Sequence, residues 1–138
     1  MTDPVPTGPA TTEPLNILRI SEDAAGESHF DAFALPRTLA QFAPPAVPFF
    51  TSGLQPATGY VVIRIPVGWK GEFHRSPHRQ MLFCWAGTLT VTASDGTVRT
   101  VSAGDAWLMA DNHGRGHASA VTSDVAFDAV IVTLPEAG

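Results

Sequence analysis

One cysteine in 138 residues, Cys84, leaves no internal disulfide to form and suits a reducing compartment. It lies in the apolar run Met81-Leu82-Phe83-Cys84-Trp85, where a thiol is expected to fill core rather than react. No stretch approaches the ~18 consecutive apolar residues of a membrane-spanning helix. The opening, MTDPVPTGPATTEP, has neither the basic start nor the apolar segment of a secretory signal. These absences together predict a soluble, cytoplasmic protein that does not enter a membrane. Charge is also scarce, at 15% of residues and a formal net of −5, which argues against binding along the phosphate backbone of nucleic acid.

What is present points to a turn-rich β protein. Hydrophobic residues make up 44% of the chain, too many for a disordered polar polymer, and twelve Gly with twelve Pro favour turns over long helices. The length suits one domain with a real core. Residues 1–14 are rich in Pro, Thr and Gly and read as a flexible lead-in, with residues 15–138 as a single domain. LNILRI from Leu15 is a first short strand. A turn-rich acidic stretch follows, then a Pro-rich passage in which a brief helix around Leu35 to Phe42 is expected.

After Gly53 the pattern is regular. Tyr60-Val61-Val62-Ile63-Arg64-Ile65 is a β-branched run ended by Pro66 and Gly68. Met81 to Ala93 is a longer strand pattern interrupted at Gly87, and Ser94-Asp95-Gly96-Thr97 is a hairpin turn. Further strands are expected over Thr97 to Val101, Ala106 to Met109, His117 to Val121 and Val125 to Leu134. Strands spaced by roughly 8–12 residues with no helical pattern between them indicate an antiparallel all-β sandwich or barrel.

Chemistry concentrates in one segment. In an extended chain His74, Ser76, His78 and Gln80 share a face, and that face continues into Leu82 and Cys84, which are core in character. Polar groups placed there would look into the barrel, where burial without partners is costly. Bound metal would satisfy them, and imidazole with carboxylate or amide oxygen suits Fe, Mn, Ni, Co, Cu or Zn. Water-paired rim histidines are the plainer alternative. Pro77 would bend the strand and break the alternation. His117 follows a tight Gly-x-Gly turn and starts a strand that would face this cluster, whereas His113, between Asn112 and Gly114, reads as a loop residue. Arg64, Lys70, Arg75 and Arg79 make this stretch locally basic, Glu72 being the only acid between Asp31 and Asp95. That favours an anionic small ligand or, more simply, a solvated basic rim.

Gly68-WKGEF-His74-Arg75-Ser76-PHR-Gln80-MLFCWA-Gly87 resembles the first motif of the cupin superfamily, G-x5-H-x-H-x(3 or 4)-E-x6-G. Gly104-DAWLM-Ala110-Asp111-Asn112 followed by His117 is similar to the second, without its proline and glycine. Ser28-His29-Phe30, Pro-His-Arg-Gln at 77–80, Ser-Asp-Gly at 94–96, Gly-Asp at 104–105 and Asp-x-x-Gly-x-Gly-His at 111–117 look like a subgroup of short bacterial, RmlC-like single-domain cupins. The resemblance implies an antiparallel double-stranded β-helix, the jelly-roll barrel. Metal-binding members use three histidines and one carboxylate. Carried over by position, His74 and His117 match, Ser76 replaces a histidine and Gln80 replaces the glutamate. The implied metal set is therefore His74, His117 and one or both of Gln80 and His78.

The leading expectation is a metal-dependent enzyme acting on a small organic substrate, of the dioxygenase, isomerase or lyase kind, with His74, His78 and His117 as catalytic residues. A metal-free cupin using histidine acid–base chemistry for isomerisation, dehydration or cyclisation is the alternative, and a non-catalytic small-ligand binding module is a third. Arg64 at the mouth would hold an anionic substrate and Trp69 would stack on it, while Trp85 and Trp107 read as core. The exposed edges of a short sandwich, and the habit of cupins of pairing through their sheets, lead us to expect a homodimer.

Overall fold

The structure, a computed structural model, describes residues 14–136, so the lead-in over residues 1–14 lies, except for Pro14, outside the described residues. All regular elements among them are strands. The described residues form two compact units: one holds residues 14–16 and Ala34–Gln55, the other Ile17–Phe33 and residues 56–136.

The smaller unit carries β3 (Thr38–Ala40) paired antiparallel with β4 (Phe49–Thr51), and Phe42 meets Phe49 edge-on at 5.6 Å. The helix expected over residues 35–42 does not form. Pro36 disfavours helical geometry at Leu35, which closes a strand, and Thr38, Leu39 and Ala40 find partners in Thr51, Phe50 and Phe49.

The larger unit is a jelly-roll barrel of two sheets. Its strands are β1 (Leu15–Glu22), β2 (Ser28–Leu35), β5 (Gly59–Ile65), β6 (Lys70–His74), β7 (Gln80–Ala86), β8 (Thr88–Ala93), β9 (Val98–Ser102), β10 (Ala106–Met109), β11 (His117–Val121) and β12 (Phe127–Thr133). β1 and β2 each run past the unit boundary at one end. One sheet has the order β2-β1-β10-β7-β12-β5, the other β6-β11-β8-β9. Neighbours of known register run antiparallel, as expected, except that β1 runs parallel to β10.

Alternation decides what lies between the sheets. In β8, Leu89, Val91 and Ala93 are buried while Thr88, Thr90 and Thr92 are not, the period-two pattern of a half-buried strand. In β7 the inward set is Gln80, Leu82 and Cys84. With Ile20, Val101, Trp107, Met109, Val121, Phe127 and Ala129 they enclose one apolar core. Burial pushes the Cys84 thiol pKa up, so this sulfur is core filling, as its setting in the sequence implied. Trp85 departs from expectation. It shares parity with Met81 and Phe83, points outward and is 52% exposed, whereas Trp107 is buried.

Candidate functional site

The two histidines that match the motif meet across a strand pair. β6 ends at His74 and β11 begins at His117, and the antiparallel register sets them opposite each other. Their rings stand 4.9 Å apart, tilted by 53°. Each ring is held through Nδ1. His74 Nδ1 donates to the Glu72 carbonyl oxygen at 2.8 Å, and His117 Nδ1 donates to Asp111 Oδ2 at 2.6 Å. A carbonyl or carboxylate partner accepts only, so both rings carry the proton on Nδ1 and keep Nε2 open to a ligand.

Asp111 is fully buried, and its second oxygen is also used: Ser76 Oγ donates to Oδ1 at 2.8 Å, and the Ser76 backbone N–H donates to the Asp111 carbonyl at 3.2 Å. Ser76, Asp111 and His117 thus form a closed hydrogen-bonded chain, each residue at most 3% exposed. Trp107 packs edge-on against the His117 ring at 5.1 Å. Gln80 is 6% exposed, and its Nε2 meets the Met109 sulfur at 3.5 Å.

The loop that carries Asp111 is tied down along its length. Glu22 accepts the backbone N–H of His113 at 2.9 Å and that of Gly114. Arg115 N–H donates to the Gly26 carbonyl, and its guanidinium pairs with Glu27 at 3.0 Å. Ser28 Oγ donates to the Gly116 carbonyl at 2.6 Å. The turn between β1 and β2 therefore fixes the position from which Asp111 reaches His117.

Several expected residues do not join this cluster. His78 is exposed on the connection between β6 and β7. Residues 75–79 are not a strand, so the shared face predicted for 74–80 breaks at Pro77: His74 lies in the four-stranded sheet and Gln80 in the six-stranded one. Arg64 lies on the outer side of its sheet, opposite in parity to Ile63 and Ile65, in a bidentate ion pair with Asp128 at 2.7 and 2.9 Å. Trp69 precedes β6, five residues from His74 and so roughly 15 Å along the strand, with its ring against Gly71. His113 is exposed on its loop, as expected. The residue not singled out was Asp111, which read as part of a glycine-rich turn. Its signal was in Asp-x-x-Gly-x-Gly-His, an acid one short loop ahead of the histidine.

Of the expected metal set, His74 and His117 meet and Gln80 is buried on the inner face of β7, while His78 is exposed. Asp111 is committed to Ser76 and His117, so the donors left for an ion within the barrel are two imidazole nitrogens and a neutral amide. Among the described residues no three His, Cys, Asp or Glu side chains converge as metal ligands would.

Residues 61–133, more than half of the chain, match the family of the cupin domain. The chain belongs to the cupin family. No curated protein matches it. Among solved structures, this cupin is similar to a conserved protein of unknown function from Streptococcus pyogenes, with 25% identity over 61% of this chain and 70% of that one and a TM-score of 0.42. It is also similar to the Cnp3 cupin domain of Schizosaccharomyces pombe, with 12% identity, 89% and 85% coverage and a TM-score of 0.45. An RmlC-like cupin from Shewanella frigidimarina matches with 16% identity, 98% and 94% coverage and a TM-score of 0.43.

Proposed function

We propose that this cupin is an enzyme that moves a proton on a small organic substrate held between the sheets beside His117. The observation that carries the reading is the buried Ser76–Asp111–His117 chain. Ser76 orients the Asp111 carboxylate, Asp111 holds the proton on His117 Nδ1, and Nε2 is left as the basic atom. When Nε2 takes a proton from a substrate C–H or O–H, the carboxylate compensates the charge gained by the ring. Return of that proton to a second position completes an isomerisation, dehydration or cyclisation. His74, with its own Nε2 open and its ring beside His117, is placed to accept a hydrogen bond from a substrate hydroxyl.

The test is incorporation of deuterium from D2O into small carbonyl compounds. Exchange should survive EDTA and fall about 10²-fold or more in His117→Ala, the usual contribution of a positioned general base. Stoichiometric Fe, Mn, Ni, Co, Cu or Zn in protein purified without chelator, with exchange abolished by EDTA, would replace this reading with the metal-dependent one. Such an ion would rest on His74, His117 and Gln80, a set weakened by the missing carboxylate charge.

We propose also that two copies pair through the outer face of the six-stranded sheet. There Phe83, Val130 and Val62 lie side by side across β7, β12 and β5, and Met81, Val132 and Tyr60 form the next row. Tyr60, Val62, Phe83 and Trp85 are all more than 40% exposed, an apolar surface of the kind that marks an interface. Light scattering should give twice the chain mass, reduced to the single-chain mass by Val62→Lys with Phe83→Lys. A monomeric wild type would remove the proposal.

A further inference from the structure

The inner surface near His117 holds more hydrogen-bond donors than its own residues can satisfy. Trp107 is 1% exposed, and its indole Nε1 is closed off with no acceptor among the described residues. The Gln80 side chain is 6% exposed, and among the described residues its amide has one partner, the Met109 thioether at 3.5 Å from Nε2. Sulfur is a weak acceptor. Buried polar groups are ordinarily paired, because an unmade bond costs the full desolvation of the group. Phe at position 107 and Leu or Met at position 80 would fill the same space without that cost, so packing does not account for either residue.

The two lie within one ligand's reach of each other. In the β7–β10 pair Trp107 faces Leu82 and Met109 faces Gln80, which makes Gln80 and Trp107 diagonal neighbours on the inner face, the spacing at which long and aromatic side chains still interact across a pair. Trp107 also touches His117. The only anion in the cluster, Asp111, is already used by Ser76 and His117. Apart from the open Nε2 atoms of His74 and His117, a ligand entering here therefore meets the N–H groups of Trp107 and Gln80 and no free carboxylate.

We infer that the ligand of this barrel is a small oxyanion, a carboxylate or an enolate, whose oxygen is taken by the indole N–H of Trp107 and the amide of Gln80. This rests on the reading of His117 as the reacting base, and it names the substrate class for that site. The Gln80 side chain, held by one weak contact, is the part that turns to admit the oxygen. An enolate formed when His117 removes a proton next to a carbonyl would be stabilised at the same donors.

The experiment is 15N NMR of the tryptophan indole groups, three in this chain, with the Trp107 signal identified by its loss in Trp107→Phe. Pyruvate is the carboxylate probe and propylammonium the cationic control. Pyruvate should shift the Trp107 indole signal saturably, and propylammonium should leave it in place. Trp107→Phe and Gln80→Leu should each bind pyruvate at least 10-fold more weakly, read from the His117 ring proton, while Trp107→Phe melts no lower than the wild type. A Trp107 signal indifferent to pyruvate, or either variant binding pyruvate as the wild type does, overturns the inference. If the His117 signal responds while that of Trp107 does not, the inference falls and the acid–base reading stands. Deuterium exchange undiminished in His117→Ala sinks the acid–base reading and leaves the binding result intact.

Discussion

Asp111→Ala should lower stability by roughly 3–5 kcal/mol, the usual loss when one partner of a buried polar pair is removed, and should scramble the His117 tautomer. Among the described residues the carboxylate is the only acceptor for two buried donors, Ser76 Oγ and His117 Nδ1. Without it both are stranded, and the ring has no reason to keep its proton on Nδ1. Asp111→Asn separates the two roles. The amide oxygen can accept from His117 while its NH2 donates to Ser76 Oγ, because a hydroxyl accepts as well as it donates. The fold should then lose only about 1–2 kcal/mol. Proton transfer should nevertheless fall by ~10²–10⁴, since the charge that balances the imidazolium is gone. Urea denaturation gives the first quantity, 15N spectra of the His117 ring give the tautomer, and deuterium exchange gives the third. An Asp111→Asn protein that exchanges as fast as the wild type would remove Asp111 from the mechanism.

Gly116→Ala should be the most damaging single methyl group in the chain. Gly116 has φ +74°, and a Cβ placed there would lie 1.9 Å from the His74 carbonyl oxygen and 2.2 Å from its carbon. The left-handed backbone alone costs a non-glycine residue about 1–2 kcal/mol. The collision is with backbone that no side-chain rotation can relieve, so the end of the β6–β11 pair must open and His74 must leave His117. We expect a loss of at least about 4 kcal/mol, seen as a melting temperature lower by roughly 10–20 °C, or no soluble protein. Gly96 is the control. Its φ is +91° with nothing within 4 Å of the added methyl, so Gly96→Ala should show only the backbone cost. Equal melting temperatures for the two variants would mean that the close approach of Gly116 to His74 does not hold the site together.

The strands of the barrel were legible because their signals are local. β-branched runs, the Asp-Gly turn at 95–96 and the alternation Leu89, Val91 against Thr88, Thr90, Thr92 each act over a few residues, and β10 and β11 start and stop where the pattern does. The helix expected over 35–42 failed where local preference is weak and pairing across a loop decides. Trp85 was misplaced for a related reason. An apolar run does not declare which of its residues face in, and among the described residues the outward Phe83 and Trp85 of the six-stranded sheet stay exposed.

The sequence by itself determined the barrel, the pair His74 and His117, and the substitution of Ser76 and Gln80 at the positions where metal-binding cupins carry histidine and glutamate. It did so through spacing, which side-chain alternation and turn chemistry enforce along a strand. Only the tertiary structure decided that His78 stays outside, that Arg64 is occupied by Asp128, and that Ser76 serves Asp111 rather than standing for a lost ligand. These are contacts between residues as far as 64 positions apart in the chain, brought together by sheet pairing and by the Glu22, Glu27 and Ser28 anchors of the loop that holds Asp111. No periodicity within one segment carries that information, because the energy that selects it comes from burying polar groups against partners supplied by other strands.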